Sequence, residues 1–192
     1  MGEGPMRDFI KLLLFITISV GAISLVSHVW VQNFVVTTAD MEPSISAGER
    51  LLISRTAYVF STPHRGEIVI YDSPTGNTTK IKRIIGLPGD IIEIKNRSVF
   101  VNGTQLSEPY VKFSADYTLL PFEVPHNRYF VMEDNRTFRH NSPLEWTVSY
   151  DDIRGRAWIQ TWPPDKWGTV NNFALEPQLM ASSMLEQPVP AD

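Results

Sequence analysis

The sequence has no cysteine among its 192 residues. This absence excludes disulfide bonds, thiol catalysis and cysteine-based metal sites together. The histidines are few as well, and none has the spacing typical of metal ligands. They are His28, His64, His126 and His140. The sequence therefore predicts neither a metal site nor a cofactor.

A strong charge of one sign is also missing. The net charge is only -4, and acidic and basic residues are spread along the whole chain. Nucleic-acid-binding proteins usually concentrate basic residues on one face, so the sequence gives no reason to expect a nucleic-acid partner. The hydrophobic fraction of 43% is enough for one folded domain with a core of its own.

One long apolar run stands near the N-terminus. Residues 12–31 contain no Asp, Glu, Lys or Arg, and a helix of that length spans the hydrocarbon core of a bilayer. A cleaved signal peptide would have a shorter apolar core followed by small residues. The run ends instead in Val-Trp-Val-Gln, with Trp30 suited to the membrane interface. We therefore expect an uncleaved transmembrane anchor that contacts the lipid bilayer.

Charges beside the run predict the orientation of the anchor. Arg7 and Lys11 lie in the short arm 1–11, which should stay in the cytoplasm under the positive-inside tendency. The remaining chain would then lie outside the cytoplasmic membrane. This topology makes the protein a single-pass membrane protein with an extracytoplasmic domain.

The chain after the anchor lacks helical periodicity. Its connections are short and rich in Gly, Pro and Asn, and residues 90–95 and 98–102 alternate apolar and polar positions across a two-residue turn, which is typical of a β-hairpin. Residues 32–170 are therefore predicted to form a mainly β domain. Trp162 and Trp167 are expected to close its core or to contact the membrane. The tail 171–192 is polar and rich in Pro, Ser and Gln, and is predicted to be disordered.

The stretch from Lys80 to Asp90 contains a lysine that needs an explanation. It reads as a β-strand ended by Gly-Leu-Pro-Gly, with Lys80 and Lys82 on one face and Arg83 on the other. A charged lysine on a buried strand is costly without a partner. Lys82 is therefore expected either to form an ion pair or to be neutral and able to act as a base.

Four motifs in this chain order resemble those of bacterial signal peptidase I. They are Asp40-Met41-Glu42-Pro43-Ser44, Arg65-Gly66-Glu67-Ile68-Val69, Lys82-Arg83-Ile84-Ile85-Gly86-Leu87-Pro88-Gly89-Asp90 and Asp134-Asn135-Arg136. The resemblance implies a β ectodomain carried by one N-terminal transmembrane helix. It also implies a serine endopeptidase with a Ser/Lys dyad, which removes signal peptides from secretory preproteins after an Ala-X-Ala pattern.

The resemblance also assigns roles to residues of this chain. Lys82 takes the place of the general base, and Thr38 that of the residue whose hydroxyl completes the oxyanion hole. Structural support of the site is implied for four residues. Arg83 and Asp134 would form an ion pair, and the other two are Arg136 and Ser142. The strands 34–37 and 78–82 would bind the extended signal peptide by strand addition. The implied substrate-binding residues are Phe34, Val36, Met41, Pro43 and Ile81.

Asp40 departs from the family pattern, because it occupies the place of the nucleophilic serine. A carboxylate is a poor nucleophile toward an amide, since attack would form an anhydride. We therefore predict an Asp40–Lys82 ion pair in place of a working dyad. Three further departures surround the site: Glu133 stands where the family has Gly, Arg139 where it has Ser, and Asn141 where it has Asp.

Two hypotheses follow from these departures. The first is a membrane-bound signal peptidase that is weak or uses another nucleophile, with Thr38, Ser44 and Ser46 as candidates. The second is a catalytically inactive homologue that binds signal-peptide ends or partners an active peptidase. The resemblance supports the same fold and location in both cases.

Overall fold

The structure is a computed structural model that describes residues 5–73, 78–137 and 142–173. It opens with helix α1, Pro5–Trp30, which covers all but the last residue of the predicted anchor. Within the described ranges, no helix combines the length and the apolar character needed to cross a membrane.

Twelve strands follow α1 in the described part of the chain. Their bounds are β1 Val31–Val35, β2 Arg50–Ser54, β3 Ile68–Asp72, β4 Thr79–Gly86, β5 Ile91–Lys95, β6 Ser98–Val101, β7 Thr104–Gln105, β8 Leu119–Glu123, β9 Arg128–Met132, β10 Thr147–Ser149, β11 Ile153–Trp162 and β12 Gly168–Thr169. Short 3-10 helices occupy Pro143–Trp146, Tyr150–Asp152 and Pro164–Lys166. The predicted mainly β class is confirmed.

The strands form two antiparallel sheets. The larger sheet has the order β1-β2-β11-β3-β4-β9-β10, with β12 paired to β11, and the smaller has the order β7-β6-β5-β8. The predicted hairpin is β5 and β6. Its turn residues Asn96 and Arg97 have φ angles of 51° and 64°, as in the tight turns that fit the twist of paired strands.

The side chains of strand β4 belong to three different hydrophobic clusters. Ile81 packs with Met41 and Ile68, and Ile85 packs with Phe130 beneath the smaller sheet. Ile84, on the other face, belongs to a cluster with Val69. Because the second part of β4 is covered on both faces, its buried polar side chains, Lys82 and Arg83, need partners inside the protein.

Gly86 ends β4 at the place where the two sheets pack most closely. A Cβ atom at this position would lie 2.8 Å from Ile92 Cδ1 and 2.9 Å from Phe130 Cβ. Gly86→Ala should therefore destabilise the fold by roughly 1–3 kcal/mol, since added volume in a packed core forces its neighbours to move. Urea unfolding measures this loss. Gly168→Ala is the control for the added methyl group alone, because nothing lies within 4 Å of that Cβ and Gly168 has no positive φ. Equal losses in both variants would contradict the packing argument.

The end of the domain differs in part from the prediction. Trp162 and Trp167 are 51% and 74% exposed, which excludes core closure and leaves membrane contact as the predicted alternative. The predicted disorder from residue 171 is wrong for its first residues. The Asn172 side chain accepts a hydrogen bond from Ile68 N at 2.9 Å, and Phe173 stacks on Tyr110 with ring centroids 5.2 Å apart. Residues 174–192 lie outside the described residues.

Candidate functional site

A cleft of about 380 Å³ opens between the end of β1 and the first half of β4. Its wall combines hydroxyl groups, two apolar side chains and four charged groups. The lining residues are Phe34, Thr37, Thr38, Asp40, Thr78, Thr79, Lys80, Ile81, Lys82 and Glu133. The sequence had named Phe34, Thr38, Asp40, Ile81 and Lys82 as site residues, and the fold brings these five together.

Both long walls of the cleft offer strand edges. β1 is the end strand of the larger sheet and pairs with β2 alone among the described strands. β4 pairs with β3 from Thr79 to Arg83, whereas its pairing with β9 starts only at Arg83. In the described part of the chain, residues 79–82 therefore have a free edge on the side of β9. Such edges accept an added extended polypeptide through backbone hydrogen bonds.

Lys82 is held at the base of the cleft by an ion pair with Glu133. Its Nζ atom lies 2.5 Å from Glu133 Oε1, and the two side chains are only 3% and 4% exposed. The predicted ion-pair partner, Asp40, is therefore the wrong carboxylate. The reason is the strand register: β4 pairs antiparallel with β9 with Arg83 opposite Met132. The next position places Glu133 directly opposite Lys82, where side chains contact one another across strands.

Asp40 lines the same cleft, but its carboxylate is not bonded to this pair. Its carbonyl oxygen accepts a hydrogen bond from Asn135 N at 2.9 Å, which fixes its backbone against the loop after β9. The side chain is half-buried, and it has no hydrogen bond or ion pair to any described residue. Burial raises the pKa of the Tyr71 phenol, and the nearby carboxylates of Glu133 and Asp40 raise it further. These three groups therefore share one electrostatic environment.

The predicted Arg83–Asp134 pair is confirmed on the opposite face of β4. Arg83 Nε and Nη2 donate to the two carboxylate oxygens of Asp134 at 2.8 and 2.7 Å. Both side chains are fully buried. Arg83 Nη1 also donates to Gly66 O at 2.7 Å and to Asn171 O at 3.1 Å. A bidentate pair of this kind fixes the position of two segments relative to each other.

Arg136 is buried as well and ties the same loop to a distant segment. Its Nε atom donates to Glu133 O at 2.6 Å, and its guanidinium pairs with Glu108 and contacts Tyr110. Sequence reasoning did not find Glu108, because it lies in an irregular segment whose pattern names no partner. Ser142, the fourth predicted support residue, accepts a hydrogen bond from Leu144 N and begins the 3-10 helix Pro143–Trp146.

The other predicted site residues occupy different environments. Val36 and Met41 are buried in the cluster below the cleft, whereas Pro43 is exposed. Ser44 lines a separate small cavity with Ile45 and Phe173. Thr38 is exposed at the cleft, and its role as an oxyanion donor stays a prediction, as does substrate binding by the five residues named for it. Arg139 and Asn141 lie outside the described residues.

Comparison with known proteins places these motifs in a family. Residues 7–162 match the family model described as signal peptidase, peptidase S26. A probable signal peptidase I-2 of Synechocystis sp. is 34% identical over 145 residues, which cover 72% of this chain and 66% of that protein. A signal peptidase I of Leptolyngbya laminosa is 29% identical over 179 residues, which cover 86% of this chain and 84% of the relative.

A solved structure was also found by comparison of the folds. It is the crystal structure of a signal peptidase I from Enterococcus faecalis, which matches with 28% identity and a TM-score of 0.43 over 50% of this chain and 97% of that one. The family match covers most of the chain, including Lys82, Arg83 and the Asp-Asn-Arg motif. The chain therefore belongs to the signal peptidase family, peptidase S26.

Proposed function

We propose that this protein is a membrane-attached signal peptidase homologue that binds the Ala-X-Ala region of secretory preproteins without cutting it. The observation that carries the proposal is the buried Lys82–Glu133 ion pair beside Asp40. This arrangement keeps the cleft of the family but removes the two chemical functions that a Ser/Lys dyad needs.

The first missing function is the nucleophile. Asp40 presents a carboxylate where the family has a serine hydroxyl, and attack by a carboxylate on a peptide bond would leave a high-energy anhydride. The second is the base. A dyad lysine must offer its amine to the hydroxyl proton, whereas Lys82 Nζ lies 2.5 Å from Glu133 Oε1 and is engaged in a buried ion pair. Neither half of the dyad is available for hydrolysis.

Peptide binding does not depend on these groups. Among the described residues, the edges of β1 and of residues 79–82 are free, so they can form backbone hydrogen bonds with an extended segment. Phe34 and Ile81 add apolar surface to the cleft for small side chains such as Ala. The relatives are signal peptidases by name, which supports signal peptides of preproteins as the ligand class.

Exposed apolar residues support attachment to a membrane. The described side chains of α1 include Phe15, Ile18 and Val20, which are 61–70% exposed. Large exposed apolar surfaces mark contacts with lipid or protein. Trp158 and Trp162 on β11 are also exposed, and such aromatic side chains suit the membrane interface. We propose α1 as a single-pass anchor with a cytoplasmic N-terminus and an extracytoplasmic β domain.

A binding and cleavage assay tests the proposed function. The full chain in detergent micelles should bind a precursor peptide with an Ala-X-Ala site and leave it intact, as measured by fluorescence anisotropy and mass spectrometry. Thr38→Trp should fill the cleft and lower the affinity at least about tenfold, which corresponds to about 1.4 kcal/mol. Thr62→Trp, an exposed threonine away from the cleft lining, is the matched control.

Two results would contradict the proposal. Cleavage by the unaltered protein that disappears in Lys82→Ala would identify an active peptidase. Equal affinity for the peptide in the unaltered protein and in Thr38→Trp would show that binding, if any, occurs outside this cleft.

A further inference from the structure

The cleft contains two charged residues besides the pair at its base. Lys82 and Glu133 neutralise each other at the base, since they form a buried ion pair. The two remaining charged lining residues are Asp40 and Lys80. Lys80 lies two residues from Lys82 along β4, or about 6.6 Å at the rise of a strand. Asp40 instead is fixed by Asn135 N to the loop that begins with Glu133.

This end of the cleft is where a bound segment would carry the peptide bond that the family cuts, because Asp40 takes the position of the nucleophile. An uncut polypeptide presents a neutral amide there. A signal peptide that has already been cut presents its free carboxylate at the same point. Two carboxylates close together in a partly buried site repel each other, and the reduced effective dielectric there makes this repulsion stronger than in water.

Lys82 cannot relieve this repulsion in the present structure. Its ammonium group is already in contact with Glu133, and both side chains are buried. The Asp40 carboxylate is half-buried and has no described cationic partner. A second carboxylate would therefore add negative charge next to Asp40, where the Lys82 ammonium group is already paired with Glu133.

We propose that Asp40 makes the cleft selective for uncut precursor segments over the free carboxyl ends of cleaved signal peptides. This inference rests on the proposed peptide-binding function of the same cleft. It assigns Asp40 a role in ligand selection: the residue that removes the nucleophile also excludes the product that an active relative releases. The protein then holds precursors and leaves cleaved signal peptides unbound.

A matched pair of peptides tests the selectivity. Both end in the same Ala-X-Ala sequence, one with a free carboxylate and the other with a carboxamide that mimics the uncut chain. The full chain in detergent micelles should bind the carboxamide at least about tenfold more tightly, because even a screened carboxylate pair at this site costs more than 1.4 kcal/mol. Asp40→Asn, which is nearly isosteric and uncharged, should bind both peptides within about twofold of each other.

The control and the outcomes separate this inference from the proposed function. Asp151→Asn removes an exposed carboxylate that lines a different cavity, and it should keep the tenfold preference. If the unaltered protein binds both peptides equally, selection by Asp40 is wrong while peptide binding stands. If neither peptide binds and a longer precursor peptide also fails to bind, the proposed function itself is wrong.

Discussion

Replacing Asp40 with serine and Glu133 with glycine together should convert this protein into an active signal peptidase, whereas each change alone leaves it inactive. Asp40→Ser supplies a hydroxyl nucleophile, but Lys82 stays engaged with Glu133 at 2.5 Å. Glu133→Gly removes that carboxylate but supplies no nucleophile. General base catalysis by a positioned group contributes about 10²–10⁴-fold in rate, and both partners must be present.

The physical basis of this expectation is the environment of Lys82. The residue is 2% exposed, and burial disfavours an ammonium group that has lost its carboxylate partner. Glu133→Gly removes the carboxylate that engages Lys82, so that the buried amine can serve as the base that the dyad requires. Effects of residues that act as a unit are strongly non-additive. The cleavage rate of the double variant should therefore far exceed the rate expected from the separate effects of the two single substitutions.

Mass spectrometry of a precursor with an Ala-X-Ala site measures the gain. Adding Lys82→Ala to the double variant should abolish cleavage, which assigns the activity to the restored dyad. Urea unfolding of each variant shows whether it is folded, so that a lack of activity is not mistaken for a lack of structure. Cleavage by Asp40→Ser alone, at the rate of the double variant, would mean that Glu133 does not block the site.

The site shows what can be predicted from a single sequence and what requires the strand register. Alternation along β4 correctly put Lys82 and Arg83 on opposite faces, and the family motifs correctly paired Arg83 with Asp134. The predicted partner of Lys82, Asp40, was wrong because the actual partner depends on how β9 aligns with β4. A shift of one residue in that register would move Glu133 to the other face.

Contacts between residues far apart in the sequence could not be predicted either. The Arg136–Glu108 pair joins residues 28 positions apart, and neither sequence periodicity nor a motif links them. The tail was predicted as disordered from its polar composition. Asn172 is nevertheless ordered, because its side chain satisfies backbone groups of Ile68 and Ala157. Composition cannot show that a polar side chain has such partners in the fold.

Asp134→Asn should cause the largest loss of stability among the substitutions considered for this protein. Arg83 and Asp134 are 0% exposed and are joined by two hydrogen bonds. Removal of one partner from a buried pair leaves the other charge without compensation and typically costs about 3–5 kcal/mol. Tyr110 cannot replace the carboxylate, although its ring centroid lies 4.2 Å from the guanidinium carbon of Arg83, because a cation–π contact contributes only about 2 kcal/mol when desolvated.

The matched control is the exposed pair of Arg154 and Asp72, whose side chains are 48% and 41% exposed. Asp72→Asn should cost less than about 1 kcal/mol, since water screens surface ion pairs. Urea unfolding measures both losses, provided that the dependence of the unfolding free energy on urea concentration is unchanged. Equal losses of stability in Asp134→Asn and Asp72→Asn would contradict the argument from burial. Arg83→Met combined with Asp134→Leu should recover part of the stability, because well-packed apolar residues can replace a buried ion pair, whereas Gly66 O and Asn171 O lose their Arg83 donor. Since Arg83 and Asp134 adjoin Lys82 and Glu133 in sequence, the extent of this recovery would show how far the stability of the two segments that carry the cleft depends on charge and how far on packing.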